Sequence, residues 1–161
     1  MKLNVTFLKQ ISLFSAIIGL GVGLVTLIPF IGSLVFVLYF LLLSAGMIVY
    51  LKKNEILGEL TVKEGAIFGA VIGTTSLIGF YCSFLPILLI ISLINNNYNP
   101  LIANLVLYGF TSPLNLFTLI FLLFLGALLC GLMNCFGGGV TAYVYEILAS
   151  LNEDNNNKFT L

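Results

Sequence analysis

The sequence predicts an all-α fold: a polytopic transmembrane four-helix bundle made of two tandem helical hairpins, a 2+2 pseudo-repeat with both termini cytoplasmic. Three observations predict it. The 161 residues are 60% hydrophobic and only 7% charged, where soluble domains are about one quarter charged, and the mean hydropathy is +1.18. The six basic and six acidic residues all fall within 2 to 9, 52 to 64 and 146 to 158, leaving uncharged runs of 42 and 81 residues. Small residues recur at four-residue steps in the first and third of the spans those runs define.

A hydrocarbon core about 30 Å thick takes roughly 20 apolar residues of helix. The run from 10 to 51 is twice that and must turn once. Pro29, with Gly32 and Ser33 close behind, supplies the turn, since proline disfavours helix in its predecessor and glycine permits positive φ. The first span is expected from about 7 or 11 to 28, and the second from 34 to 51, closed by Lys52 and Lys53. At about 27 Å per arm the hairpin barely crosses the core, and a re-entrant hairpin is the alternative. An uncleaved signal anchor is preferred to a signal peptide, because the apolar stretch runs on without a small-x-small cleavage site.

Residues 52 to 64 read as a short aqueous loop. Within it, Thr61 and Glu64 have capping-box spacing, which starts a third span at about 65 to 94. Pro86 inside that span removes a backbone donor and is expected to kink it. Residues 95 to 115 hold Asn95, Asn96, Asn97, Asn99, Pro100, Ser112, Pro113 and Asn115 and suit a loop on the opposite side, with Tyr98 and Tyr108 at headgroup level. A fourth span is expected from about 116 to 148, with a weak point at Gly137, Gly138 and Gly139, followed by a polar, frayed tail from 152 to 161. The chain is thus one membrane domain, 1 to 161. All six lysines lie on one face if four spans are crossed, which makes that face cytoplasmic.

The hairpins resemble each other. At an offset of 50, Ala16, Ile17, Gly19, Gly23, Leu27 and Ile28 match Ala66, Ile67, Gly69, Gly73, Leu77 and Ile78. Gly46 and Tyr50 match Gly139 and Tyr143 more weakly. Repeat 1 covers about 7 to 53 and repeat 2 about 61 to 148, related by an axis along the membrane normal. The shared feature is a small-residue stripe, Ser15, Gly19 and Gly23 in the first span and Gly65, Gly69 and Gly73 in the third. Such stripes let helix backbones approach. The two stripes are expected to pack on each other, with association between protomers as the alternative.

Chemistry is argued mainly by absence. There is no His, Arg or Trp, and no charge in the interior of any expected span, Glu146 falling at the cytoplasmic interface of the fourth, so the usual carriers of proton relay, ion coupling and intramembrane hydrolysis are missing. Cys82, Cys130 and Cys135 sit in apolar segments without metal-type spacing. Gly137 to Gly139 lacks the Lys-Ser/Thr partner of a phosphate loop. No catalytic, cofactor-binding or metal-binding residue is assigned, and nucleic acid is not expected as a partner. One intramembrane polar cluster stands out: Thr74, Thr75, Ser76 and Asn134. An amide in a span needs a partner, and the hydroxyls of 74 to 76 are the expected one.

The layout resembles that of many small four-span bacterial membrane proteins, on the strength of Ala16, Gly19 and Gly23, then Lys52 and Lys53, then Thr61, Glu64, Gly65 and Ala66. The resemblance transfers no activity. The expectation is a non-enzymatic structural or accessory protein of the bacterial cytoplasmic membrane that associates through its small-residue helix faces, with the lipid bilayer as solvent and a homo-oligomer or a membrane-protein partner. The alternatives are a small oligomeric permeation or transport component lined by Ser, Thr and Asn, and a holin-like protein.

Overall fold

The computed structural model describes residues 5–54, 56–58, 60–94, 108–109 and 112–158. It is all-helical: α1 Val5–Val25, α2 Ile31–Lys53, α3 Val62–Ile94 and α4 Pro113–Lys158. All four are long and apolar enough to cross a membrane. Most of the loop expected at 95 to 115, including Tyr98, lies outside the described residues, as does the chain end beyond Lys158.

The helix ends follow local chemistry. At the first turn the amide of Ile31 donates to the carbonyl of Pro29 at 2.8 Å, around Phe30 at φ 64°, ψ −50°. This is the geometry of the rare, strained γ-turn. The expectation that glycine would take the positive φ is therefore corrected. Gly32 serves a different purpose: a Cβ there would overlap the backbone of Thr26. At α3 the capping box is formed, with the Thr61 amide donating to Glu64 Oε2 at 3.1 Å and the Glu64 amide to Thr61 Oγ1 at 3.3 Å. The start of α4 comes three residues earlier than expected, because Ser112 and Pro113 are a helix start rather than loop. Ser112 Oγ accepts the amide of Asn115 at 3.3 Å, and proline at the first helical position lacks only a donor that has no partner there. From there α4 runs unbroken through Gly137, Gly138 and Gly139 to Lys158.

The packing pattern is not that of two self-contained hairpins. Helix α3 packs extensively on both α4 and α1; α4 also packs on α2, while α1 and α2 touch only sparsely. Contacts fix the directions. Ser15 meets Thr75 and Gly23 meets Ser83, so α1 and α3 run parallel. Gly65 meets Ala142 and Gly73 meets Cys130, so α3 and α4 are antiparallel.

Two apolar cores result. One gathers Ile11, Met47, Ile48, Leu51, Phe68, Ile72 and Ala142 and takes in Leu57 and Leu60 from the 54–61 connection. That connection is pinned by Lys52 Nζ, which donates to the Gly58 carbonyl at 2.7 Å. The other core holds Tyr39, Leu77, Phe80, Ala127 and Cys130, with Phe80 against Phe84 at 4.9 Å and Phe36 at 5.2 Å between ring centres. Outward-facing positions carry large exposed apolar side chains on every helix, such as Leu13, Leu34, Ile78, Phe117 and Phe136. That is the inside-out arrangement lipid permits.

Candidate functional site: a buried polar layer between two apolar cores

Between the two cores, about halfway along α1 and α2, lies a layer of polar side chains. Ser15, Ser44, Ser76 and Asn134 are each 0% exposed, and Thr75 joins them through a 2.7 Å hydrogen bond between its Oγ1 and Ser15 Oγ. Buried polar groups in hydrocarbon cost free energy unless paired, so their partners are the informative part.

Asn134 is not paired with the hydroxyls of 74 to 76, which corrects the expectation. Its partner is the backbone of α2. The Ser44 amide donates to Asn134 Oδ1 at 3.0 Å, and Asn134 Nδ2 donates to the Phe40 carbonyl at 3.2 Å. Residues 40 and 44 are the acceptor and donor of one turn of a helical ladder. The side-chain amide thus presents to α2 the same donor and acceptor that a peptide group would. Nδ2 also donates to the Cys130 carbonyl of its own helix at 3.0 Å, which leaves the amide fully paired without water.

The hydroxyls follow one rule and one exception. Thr74 and Ser76 each donate to a carbonyl three or four residues back, the usual solution for Ser and Thr in a helix; Ser15 and Thr75 lie within reach of such carbonyls too, but one of the two gives its single proton to the other across the α1–α3 contact. Among the Ser and Thr hydroxyls described, Ser44 Oγ is buried with no hydrogen-bond partner, as is the phenol oxygen of Tyr39. The carbonyl Ser44 would ordinarily use, Phe40, is the one held by Asn134.

The polar cluster is dispersed over three interfaces. Thr74 lies against Gly131 of α4, Thr75 against Ser15 of α1, and Ser76 lies with its backbone against Gly19 of α1. Asn134 reaches α2 while its backbone lies against Gly69 of α3. Cavities open elsewhere on the described surface are lined by other residues.

The six small residues all lie at close helix contacts, but the two stripes do not meet. A Cβ on Gly19 would overlap the Ser76 carbonyl, and one on Gly23 would overlap Ser83 Oγ. Gly65, Gly69 and Gly73 face α4 instead: added Cβ atoms would meet Ala142 and Gly138, the Asn134 carbonyl, and Cys130 with Asn134. The stripe of α3 that meets α1 is Thr75, Gly79 and Ser83, with Gly79 against the Ala16 carbonyl and Ser83 Oγ donating to the Leu20 carbonyl at 2.9 Å. It lies ten residues further on, which at about 100° per residue is a different helix face. The partner stripe on α4 is Cys130, Asn134, Gly138 and Ala142. Both carry the same four-residue signal that reveals the stripes expected from sequence. Gly137, beside it, faces Ser44 of α2.

These features describe a bundle of four helices, each long and apolar enough to cross a membrane, whose interior is closed by small residues and a polar layer. Comparison with protein-family models, curated proteins and solved structures finds no match.

Proposed function

We propose that this chain is a structural or accessory protein of the bacterial cytoplasmic membrane, without enzymatic activity of its own, that works by association with another membrane protein or with copies of itself. The observation that carries this reading is the Asn134 clamp. The most polar side chain in the bundle interior is fully buried and is paired with helix backbones. A permeation path needs such groups turned towards water, whereas here they join helices, as glue worth about 0.6 to 2 kcal/mol per bond in a membrane. The six predicted small residues are occupied within the chain, so association uses the outer helix faces.

In this reading the chain is two tandem hairpins with both termini and the 54–61 connection in the cytoplasm, because all six lysines then share that side. The parallel directions of α1 and α3 agree with a pseudo-repeat about an axis along the membrane normal.

Cysteine accessibility tests the proposal. In a background with Cys82, Cys130 and Cys135 replaced by Ala, single cysteines are placed at Thr74, Thr75, Ser76 and Asn134 and exposed to a membrane-impermeant maleimide. All four should stay unlabelled in folded protein. Labelling at Ser76, the most conservative of the four replacements, together with Asn134 would overturn the proposal in favour of an aqueous permeation path.

A further inference from the structure

The sparse contact between α1 and α2 leaves an open groove along the outer surface, about 340 Å³ in volume. Its walls are Phe14 and Ile18 of α1 and Leu42, Leu43, Met47 and Tyr50 of α2, and its floor includes Gly46. A side chain at Gly46 would meet nothing within 4 Å. The groove therefore stays open because no side chain projects from that position.

Its polarity is graded along its length. At about 100° per residue, Lys53 lies within roughly 20° of Gly46 around α2, on the groove face, and Gln10 lies one turn before Phe14 on the matching face of α1. One end of an apolar channel thus carries the hydroxyl of Tyr50, the amide of Gln10 and the ammonium of Lys53. Lys52 is directed elsewhere, to the Gly58 carbonyl and over the Tyr145 ring. The helices beyond Ile18 and Leu42 carry no charged side chain as far as Ser33, and Tyr39 there is buried in the second core. An apolar trough with a cation and two polar groups at its membrane-surface end is complementary in polarity and charge to an anionic phospholipid.

We propose that the α1–α2 groove is a binding site for one anionic phospholipid, with an acyl chain along Gly46 and the phosphate at Lys53. The site requires only that the chain lie in a bilayer and is independent of its accessory role.

The chain has no tryptophan, so a single Phe14→Trp substitution reports on the groove alone. The protein is reconstituted in phosphatidylcholine vesicles doped with equal fractions of brominated phosphatidylglycerol or brominated phosphatidylcholine, and quenching is compared with Leu132→Trp on the outer face of α4. The expected result is local enrichment of phosphatidylglycerol over phosphatidylcholine at position 14 of the order of fivefold, what one lysine at an anionic headgroup supplies, with no preference at 132. Lys53→Gln should abolish the preference. Gly46→Leu, which fills open space, should reduce quenching at 14 by both lipids. Equal quenching by the two lipids at position 14, or a preference that survives Lys53→Gln, overturns the proposal. So does weaker quenching by both lipids at 14 than at 132 in the chain retaining Gly46 and Lys53, because a protein helix, such as one from a second copy, then covers the groove.

Discussion

At the scale of single residues, Asn134 shows how a polar group is accommodated in a bundle that excludes water. Its Nδ2 serves two carbonyls, Phe40 and Cys130, and its Oδ1 serves one amide, Ser44. The consequence is an asymmetric pair of substitutions. Asn134→Ala frees residues 40 and 44 to bond with each other as any helical turn does, so its cost is the lost bridge and a small void, about 1 to 2 kcal/mol. Asn134→Asp keeps the shape but sets a carboxylate against two carbonyls in an apolar interior, and should cost more than Ala, by about 2 kcal/mol or more. Reversible unfolding in micelles measures both; an Asp variant as stable as the Ala variant would show that the clamp is not formed. Phe30 offers the opposite case, a residue under strain. It holds positive φ at the tip of the first turn and is 95% exposed. Phe30→Gly gives up almost no contact, relieves about 1 kcal/mol of backbone strain, and should raise the unfolding midpoint in the same assay. Neither feature was legible in the sequence. An amide that pairs with backbone has partners without a residue signature, and phenylalanine has no preference for the positive φ that the γ-turn gives Phe30.

At the scale of helices, the difference between glycines at a contact and glycines facing out decides what each tolerates. Gly19 and Gly21 are two residues apart on α1. A methyl at Gly19 would overlap the Ser76 carbonyl, a backbone atom that cannot move aside, whereas at Gly21 it would meet nothing within 4 Å. Gly19→Ala is therefore expected to lose about 1 to 3 kcal/mol, and Gly21→Ala to gain up to about 1 kcal/mol from helix propensity. Gly69→Leu belongs with Gly19, since it drives a branched side chain into the Asn134 carbonyl, and should prevent α3 and α4 from pairing. Thermal denaturation of the three variants in one detergent, read against the parent chain, checks the order; a Gly19→Ala chain as stable as Gly21→Ala would remove the close α1–α3 crossing. Here the sequence was partly legible. Four-residue spacing located small-residue faces, but spacing within one helix says nothing about which neighbour a face meets. Helix α3 carries two such faces, Gly65-Gly69-Gly73 towards α4 and Thr75-Gly79-Ser83 towards α1, and only the arrangement of all four helices assigns them. The offset also misleads. The sequence match at an offset of 50 sets Ala16 beside Ala66, while the contact register pairs Ser15 with Thr75, so sequence correspondence and spatial contact are separate relations.

At the scale of the whole molecule, the two pairs of helices differ in length in a way the bilayer must accommodate. The candidate spans of α1 and α2 have 19 and 23 residues, but those of α3 and α4 have 30 and 39. At 1.5 Å per residue the last two are about 45 and 58 Å long, against a core of about 30 Å. Fitting 45 Å into 30 Å by tilt alone needs roughly 48°, beyond the range of about 0 to 40° that transmembrane helices adopt. Tilt alone therefore does not fit α3 and α4 to such a core, and the excess is expected to leave the hydrocarbon. The contact register says where. Gly23 lies beside Ser83 and Phe84, so α1 ends level with about Leu85 and the turn begins near Pro86, past which α3 continues for eight residues, about 12 Å, with α4 alongside. Ile90, Ile94, Leu114 and Phe117 are exposed there. The charge pattern that revealed the spans could not reveal this overhang, because the projecting residues are as apolar as those in lipid. In a chain without its native cysteines, Leu114→Cys should react with an impermeant maleimide while Leu132→Cys, deep along the same helix, stays protected. Reaction at Leu114→Cys in intact cells, with Lys158→Cys reacting only after permeabilisation, also fits both termini in the cytoplasm. Protection of Leu114→Cys even in permeabilised cells would mean that the bilayer thickens around α3 and α4, and the overhang would be wrong.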